Sequence, residues 1–329
     1  MTQSKLAAYG LDRPESGDDV AVPFALESHD ARGRVVRLGP ALDIIIARHG
    51  YPEPVARLLG EAVTLAALVG SSLKFEGRFI LQSRTDGPVN LLVVDLDAPD
   101  GLRAYARFDA DELEQAKAAG RTKPEQLLGK GVLAMTVDQG VHMDRYQGIV
   151  ALEGDDTLEQ VAHTYFMQSE QIPTRVRLAV AEVSTRGDAQ SHWRAGGVLL
   201  QHLPEHGRVR MPDLPGNGDG DDPAMMDPDF AEDDRWTEAR VLLETLEDAE
   251  LVDPDLSAER LLFRLYHEKG VRVFEPETLR ERCTCSAERV EQMINSFTPE
   301  EREEMVVDGA IEVVCEFCAT RYSFNPNQF

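Results

Sequence analysis

All four cysteines of this chain fall in its last 47 residues, as two close pairs: Cys283 with Cys285, then Cys315 with Cys318. The preceding 282 residues contain none. Scattered structural cysteines do not distribute this way. Thiolates are soft donors, and four of them suit a tetrahedral zinc ion. C-x-x-C at a hairpin bend aims two sulfurs at one metal. C-x-C is less common and needs irregular backbone, and here it stands just before a helix start. The tail around the cysteines has few apolar side chains, and a metal supplies about 10 to 16 kcal/mol in zinc-finger peptides. The expectation is one zinc ion held by Cys283, Cys285, Cys315 and Cys318. Two other readings stay open at this level: four unconnected thiols, and a redox pair at C-x-x-C without metal. Each pair is also close enough in sequence to close on itself, so oxidation and metal loss would be linked.

Composition narrows the rest. The chain has 329 residues, 34 Lys+Arg against 59 Asp+Glu, and a formal net charge of -25. A surface that negative repels phosphate backbones and anionic lipid. Nucleic acid and membrane are therefore not expected partners. Aromatic residues make up only 6%, which disfavours a module that stacks on bases. The segment Met1 to Leu6 lacks the apolar run of a signal peptide, and the most apolar stretch, Val63 to Gly70, is far too short to span a bilayer. A cytoplasmic location is expected.

The patterning predicts an α+β fold: an antiparallel-sheet N-terminal domain with packed helices, a helical middle segment and a small C-terminal zinc-binding domain. The divisions expected are 1–210 for the core domain, 211–234 for an acidic flexible linker, 235–275 for the middle segment and 276–329 for the four-cysteine domain. Phe24 to Leu26 and Val35 to Leu38 flank a turn signal at Asp30 to Gly33. Pro54 to Leu73 has helical spacing. Short strand-like runs follow at 78–83, 89–95, 102–108, 132–137 and 146–152, then a helix at 158–169 and a strand at 176–184. Turns of this length favour antiparallel pairing. The linker holds nine acids, four prolines and no Lys or Arg in 24 residues. Such a stretch cannot offset its ordering entropy. Two helices, 236–246 and 257–268, carry an apolar stripe (Trp236, Leu242, Leu243, Leu246, Leu262, Leu265) that must cover something. In the tail, Ser286 caps a helix and Thr298 to Glu301 forms a capping box. Strands at 311–314 and 320–324 flank the Cys315 to Cys318 bend.

Other motifs carry no chemistry. Gly216 to Gly220 has neither the preceding strand nor the following helix of a phosphate loop. Asn217, Asp219 and Asp221 fail the calcium-loop pattern at positions six and twelve, and Asp95, Asp97 and Asp100 fail the same test. Ser28-His29-Asp30 is contiguous, whereas catalytic triads are assembled in space. His142, His163 and His192 have no ligand-like spacing. No G-x-x-x-x-G-K-[ST] occurs.

Arg282-Cys283-Thr284-Cys285-Ser286-Ala287-Glu288-Arg289, followed by Cys315 to Phe324, resembles the zinc region of the redox-regulated bacterial heat-shock holdase, the thirty-three-kilodalton chaperonin family. Tyr165 to Thr174, Ala195 to Gln201 and Arg264 to Glu268 match in the same order, so the resemblance spans about residues 20 to 325. It implies a molecular chaperone rather than an enzyme, with no catalytic residues and no ATP. The reduced, zinc-bound form would be inactive. Oxidation would form Cys283–Cys285 and Cys315–Cys318 disulfides, release zinc, unfold the tail and middle segment, and expose apolar surface to unfolding client proteins, typically in a homodimer. The long acidic stretch at 211–234 departs from that pattern. Two competing functions remain: a zinc-ribbon nucleic-acid binder, opposed by four Arg against ten acids in residues 281–329, and a thiol-disulfide oxidoreductase using Cys315 and Cys318.

Overall fold

Strands β1 (Val20–Leu26) and β2 (Ala31–Leu38) form the expected hairpin. A 3-10 turn, Glu27–His29, reverses the chain, and Asp30 takes the left-handed backbone that closes it. The computed structural model describes residues 15–73, 76–140, 145–184, 190–203 and 234–329. Helix α1 (Pro40–Ala47) starts on a proline at its first turn. Helix α2 (Glu53–Ser72) follows, with fourteen of its twenty residues buried.

The sheets come next. Strands β3 (Arg78–Thr85), β4 (Val89–Asp97), β5 (Gly101–Phe108), β6 (Gly129–Asp138) and β7 (Tyr146–Gly154) pair antiparallel in the order β5-β4-β3-β6-β7. Helix α3 (Ala110–Ala118) and the single turn α4 (Glu125–Leu128) lie in the β5–β6 connection. Helix α5 (Leu158–Tyr165) opens on a Thr157/Gln160 capping box and runs into a π-helical turn, Phe166–Glu170, before β8 (Thr174–Val183) and β9 (His192–His202). β8 and β9 join the first hairpin in a sheet of order β1-β2-β9-β8.

Helix α2 lies between these two sheets. Its apolar side chains pack with Val36, Leu178 and Leu199 of one sheet and with Phe79, Leu92 and Leu133 of the other, in one continuous core. By length and composition alone α2 would also pass as a membrane span, but its apolar window is 78% buried inside the protein. The fold is thus the expected α+β arrangement.

The middle segment covers the opposite face of the first sheet. It comprises α6 (Asp234–Glu244), α7 (Asp248–Val252) and α8 (Ala258–Tyr266). Trp236, Leu243, Leu246, Leu262 and Leu265 are buried against Val22, Phe24, Val198 and Leu200, with Leu242 partly buried beside them. The apolar stripe read from the sequence therefore covers a sheet. Of the acidic stretch 211–234, all but Asp234 lies outside the described residues, and Asp234 is the first residue of α6.

Gly196 and Gly197 show how closely three layers approach on β9. A Cβ on Gly196 would sit 2.1 Å from the carbonyl oxygen of Leu251 in α7, and one on Gly197 would sit 2.8 Å from Thr64 in α2. Adjacent strand residues face opposite sides. One glycine therefore admits the cover and the other admits the central helix.

After α8 the chain becomes a strap. Strands β10 (Val271–Val273) and β11 (Glu277–Thr278) pair antiparallel with β1, and β12 (Arg280–Glu281) pairs parallel with β5 of the other sheet. The strap thereby hydrogen-bonds to both sheets in succession. Beyond it stands a small lobe: α9 (Ala287–Asn295), α10 (Pro299–Glu304), and a three-stranded sheet of β13 (Val306–Val307), β14 (Ala310–Val314) and β15 (Arg321–Phe324). Ser286 caps α9 by accepting from the Arg289 N–H, and the capping box of α10 is formed at Thr298 and Glu301.

Candidate metal centre

Residues 283–329 bury only Ile294, Ile311 and Cys318 below a tenth of their surface. At roughly 1.5 to 3 kcal/mol per buried aliphatic side chain, that core cannot order 47 residues. The lobe needs another tie, and the cysteines are placed to provide it.

Cys283 and Cys285 follow β12 on irregular backbone, ahead of α9. Cys315 and Cys318 lie in the turn between β14 and β15. That turn is closed by the Ala319 N–H donating to the Cys315 carbonyl at 2.8 Å and the Cys315 N–H donating to the Thr320 carbonyl at 2.9 Å. Ala319 takes left-handed backbone, φ 55°, which curls the chain back under Cys318. The result brings all four sulfurs within 4.8 Å of one another. Cys283 Sγ lies 3.7 Å from Cys315 Sγ, and Cys285 Sγ lies 3.3 Å from Cys318 Sγ. None of the four is in a disulfide. A tetrahedron with metal–sulfur bonds of about 2.3 Å has sulfur–sulfur edges of about 3.8 Å. The quartet fits that shape and donor set.

Electrostatics favour a cation there. Burial pushes the Cys285 thiol up to about 12, opposed by a hydrogen bond from the Tyr322 hydroxyl and reinforced by its thiol neighbours. Burial also acts to raise Cys318, but hydrogen bonding with Thr320, through side chain and backbone, and with Cys285 and Cys315 outweighs it and brings this thiol down to about 7. Cys315 is raised, chiefly by burial. Four neighbouring sulfurs cannot all ionise without a compensating charge, and a divalent ion supplies one.

The residues between the cysteines fasten the lobe to the second sheet. Arg103 on β5 donates from Nη1 to the Thr284 hydroxyl at 3.0 Å and lies 4.0 Å from the centre of the Phe317 ring. Both motifs therefore touch one guanidinium, which Asp95 holds at 2.8 Å through Nε. Phe317 also meets Tyr105 edge to face, ring centres 4.9 Å apart, and His49 Nε2–H donates to its carbonyl at 3.2 Å. At the strap, Arg282 pairs with Asp97 at 3.0 Å, Arg280 with Asp100 at 2.8 Å, and Arg48 with Glu281.

Several residues that carry no motif in the sequence thus acquire roles. Asp97 and Asp100 anchor the strap. The contiguous Ser28-His29-Asp30 holds the middle segment: Ser28 donates to the Lys269 carbonyl at 2.7 Å, His29 lies 2.9 Å from Glu238, and Asp30 pairs with Arg235 at 2.9 Å. His163 accepts from the Val176 N–H at 2.9 Å and serves the β8–α5 contact. His142 lies outside the described residues.

Two sheets sharing a buried helix, a helical cover on one sheet and a four-cysteine lobe strapped to both define the class: an α+β protein whose C-terminal lobe gathers four cysteines that could hold a metal ion. A family model described as Hsp33 protein matches residues 19–325, and the chain belongs to that family. It is 48% identical over 318 residues to a protein of Caulobacter vibrioides named 33 kDa chaperonin, covering 95% of this chain and 97% of that one. A protein of the same name from Pseudomonas fluorescens is 37% identical over 316 residues, covering 95% and 92%. The crystal structure of the 33 kDa chaperonin from Thermotoga maritima matches with a TM-score of 0.70 at 22% identity, over 94% of this chain and 96% of that one, and supports the fold.

Proposed function

We propose that this protein is a redox-regulated, ATP-independent chaperone of the cytoplasm that holds unfolding proteins under oxidative stress. Its relatives named 33 kDa chaperonin support the chaperone reading. The observation that carries the switch is the convergence of four sulfurs within 4.8 Å at the end of a strap bonded to both sheets.

In the reduced state Cys283, Cys285, Cys315 and Cys318 hold one Zn2+ as thiolates. The ion supplies a structural cross-link and no catalysis. On oxidation each pair of thiolates, Cys283 with Cys285 and Cys315 with Cys318, would give up two electrons and gain one S–S bond. A peroxide accepts those two electrons, takes two protons from solvent and leaves as two waters. Two disulfides consume two peroxides, and no thiolate remains to bind metal. The lobe then keeps only its small core, Thr284 and Phe317 leave Arg103, and the strap loses its far anchor. The middle helices loosen with it, and Val22, Phe24, Val198 and Leu200 are uncovered for clients. The activated form works as a homodimer. Negative charge keeps an apolar-exposing molecule from self-precipitating.

The test follows metal and activity together. Zinc release, read with a chromogenic chelator, and suppression of client aggregation, read by light scattering, are recorded during treatment with peroxide at mild heat. One zinc per chain is expected to leave as suppression rises. Equal suppression by the reduced and oxidised forms rejects the switch. Peptide mapping tests the pairing, since the nearest sulfurs lie across the motifs and the proposed disulfides lie within them.

A further inference from the structure

The second sheet turns one face to α2 and the other to solvent. Register places Tyr105, Val93, Gln82, Ala134 and Ile149 in one row across that outer face, and Arg107, Leu91, Arg84, Val132 and Ala151 in the next. Val132 is 41% exposed and Ile149 56%. Arg78, Arg84, Arg103 and Arg107 all point outward among these apolar side chains, and the acids among them are paired: Asp95 with Arg103 and Arg78, Asp97 with Arg282, and Asp138 with Arg145. In a chain of net charge -25 this face sets guanidiniums, with acids paired among them, on an apolar ground.

One segment of the chain already sits at the edge of this face: Glu316-Phe317, between the second pair of cysteines. Its recognition has three parts. The Phe317 ring lies edge to face on Tyr105 and under the Arg103 guanidinium. The Phe317 carbonyl accepts from His49 Nε2–H. The Glu316 carboxylate faces the Tyr105 phenol, and burial together with that carboxylate's negative charge pushes the phenol up to about 12. An aromatic ring, a backbone carbonyl and a preceding carboxylate are features any unfolded polypeptide can present.

We propose that the Arg103–Tyr105–His49 site is a client-binding site for an acidic-aromatic segment of an unfolded polypeptide, and that Glu316-Phe317 occupies it in the closed molecule. The proposal rests on the chaperone reading and names part of the client surface. An occupant tethered in the same chain has a high effective concentration, so free segments are excluded while the knuckle is in place. When the cysteine quartet lets go, the tether is released and the site opens onto the apolar rows beside it. The same event that frees the lobe thus delivers a binding site for chemistry like its own.

The probe is a fluorescein-labelled peptide with the sequence of residues 313–321, both cysteines replaced by serine. Its anisotropy is measured with the full chain. The oxidised chain is expected to bind it at least tenfold tighter than the reduced, zinc-loaded chain. Replacing the peptide's phenylalanine by alanine, or Arg103→Ala in the oxidised chain, is expected to weaken binding at least tenfold. Phe317→Ala in the reduced, zinc-loaded chain is expected to bind the peptide without oxidation, because the occupant is gone while the four thiolates remain. Equal binding of the alanine peptide, or no gain in both the oxidised chain and Phe317→Ala, overturns the proposal. A Phe317→Ala dimer that the peptide does not dissociate assigns the face to a second copy and overturns it as well. Aggregation suppression on the same samples separates the two levels. An oxidised chain that suppresses aggregation but ignores the peptide rejects this site and leaves the chaperone reading standing. Peptide binding without suppression rejects the chaperone reading and, with it, the assignment of this site to clients.

Discussion

At the scale of single residues, the lobe has an unequal division of labour. Ile294 and Ile311 are its buried aliphatic side chains, and Cys318 is the most buried of its sulfurs. Cys318→Ser is therefore expected to abolish stoichiometric zinc binding. It should also remove the lobe's protection from hydrogen exchange while the two sheets stay protected. The loss is set against a zinc contribution on the order of 10 kcal/mol, far beyond what two aliphatic side chains restore. Metal analysis and exchange mass spectrometry read the two effects separately. The four cysteines were legible in the sequence because they are rare and their spacing is local. Arg103, Tyr105 and His49 were not. Arg103 meets Thr284 and Phe317 from across about 180 and 210 positions of chain, and no local pattern encodes that meeting. Asp97 and Asp100 were visible as acids but failed the only pattern they could be tested against, and their partners became evident once the strap lay beside β5.

At the scale of elements, the cover is held by a close fit and by charge. Gly196→Ala places a methyl against the Leu251 carbonyl and is expected to push α7 off β9. Exchange should quicken across 248–266, and the reduced protein should gain partial ability to suppress aggregation while keeping its zinc. A half-open pocket of about 500 Å³ is lined by Glu61 of α2, Glu159 and His163 of α5, and Asp248 of α7. Burial and the negative charges of Glu159, Glu125 and Asp248 push Glu61 up to about 8 against the pull of Arg57. A carboxyl raised in the folded state binds more protons there than in the unfolded chain, so stability falls as pH rises from about 4.5 towards 8. His163 is lowered to about 4 by burial and by Arg175, which gives the opposite slope below about 6.5. Glu61→Gln should therefore flatten the decline above pH 6.5, a change read from denaturant midpoints at pH 6.5 and 8. Long, well-patterned elements such as α2 and the β3–β7 strands were legible from apolar spacing. Helix α1 carries no such signal: Ile44-Ile45-Ile46 is β-branched and apolar on most sides, so its spacing marks no face. The strap leaves no signal in the sequence because its strands have three, two and two residues, too few to display a period.

At the scale of the whole molecule, the layers differ in what secures them. The sheets and α2 share one large apolar core, the cover has a second, and the lobe has almost none. Oxidation followed by brief proteolysis is expected to cut within 234–329 and to spare the 20–184 region, whereas the reduced zinc-loaded protein resists cleavage in both. Cleavage spread evenly over the chain would show that the layers fail together. The order of these layers has a further consequence through the central helix. Because α2 is gripped on both flanks by sheets that need neither cover nor lobe to meet it, the inner body can stay assembled while its outer parts come and go. Returning segments would then find their seats still shaped. Recovery after stress becomes a local re-seating instead of a new folding reaction for the entire chain.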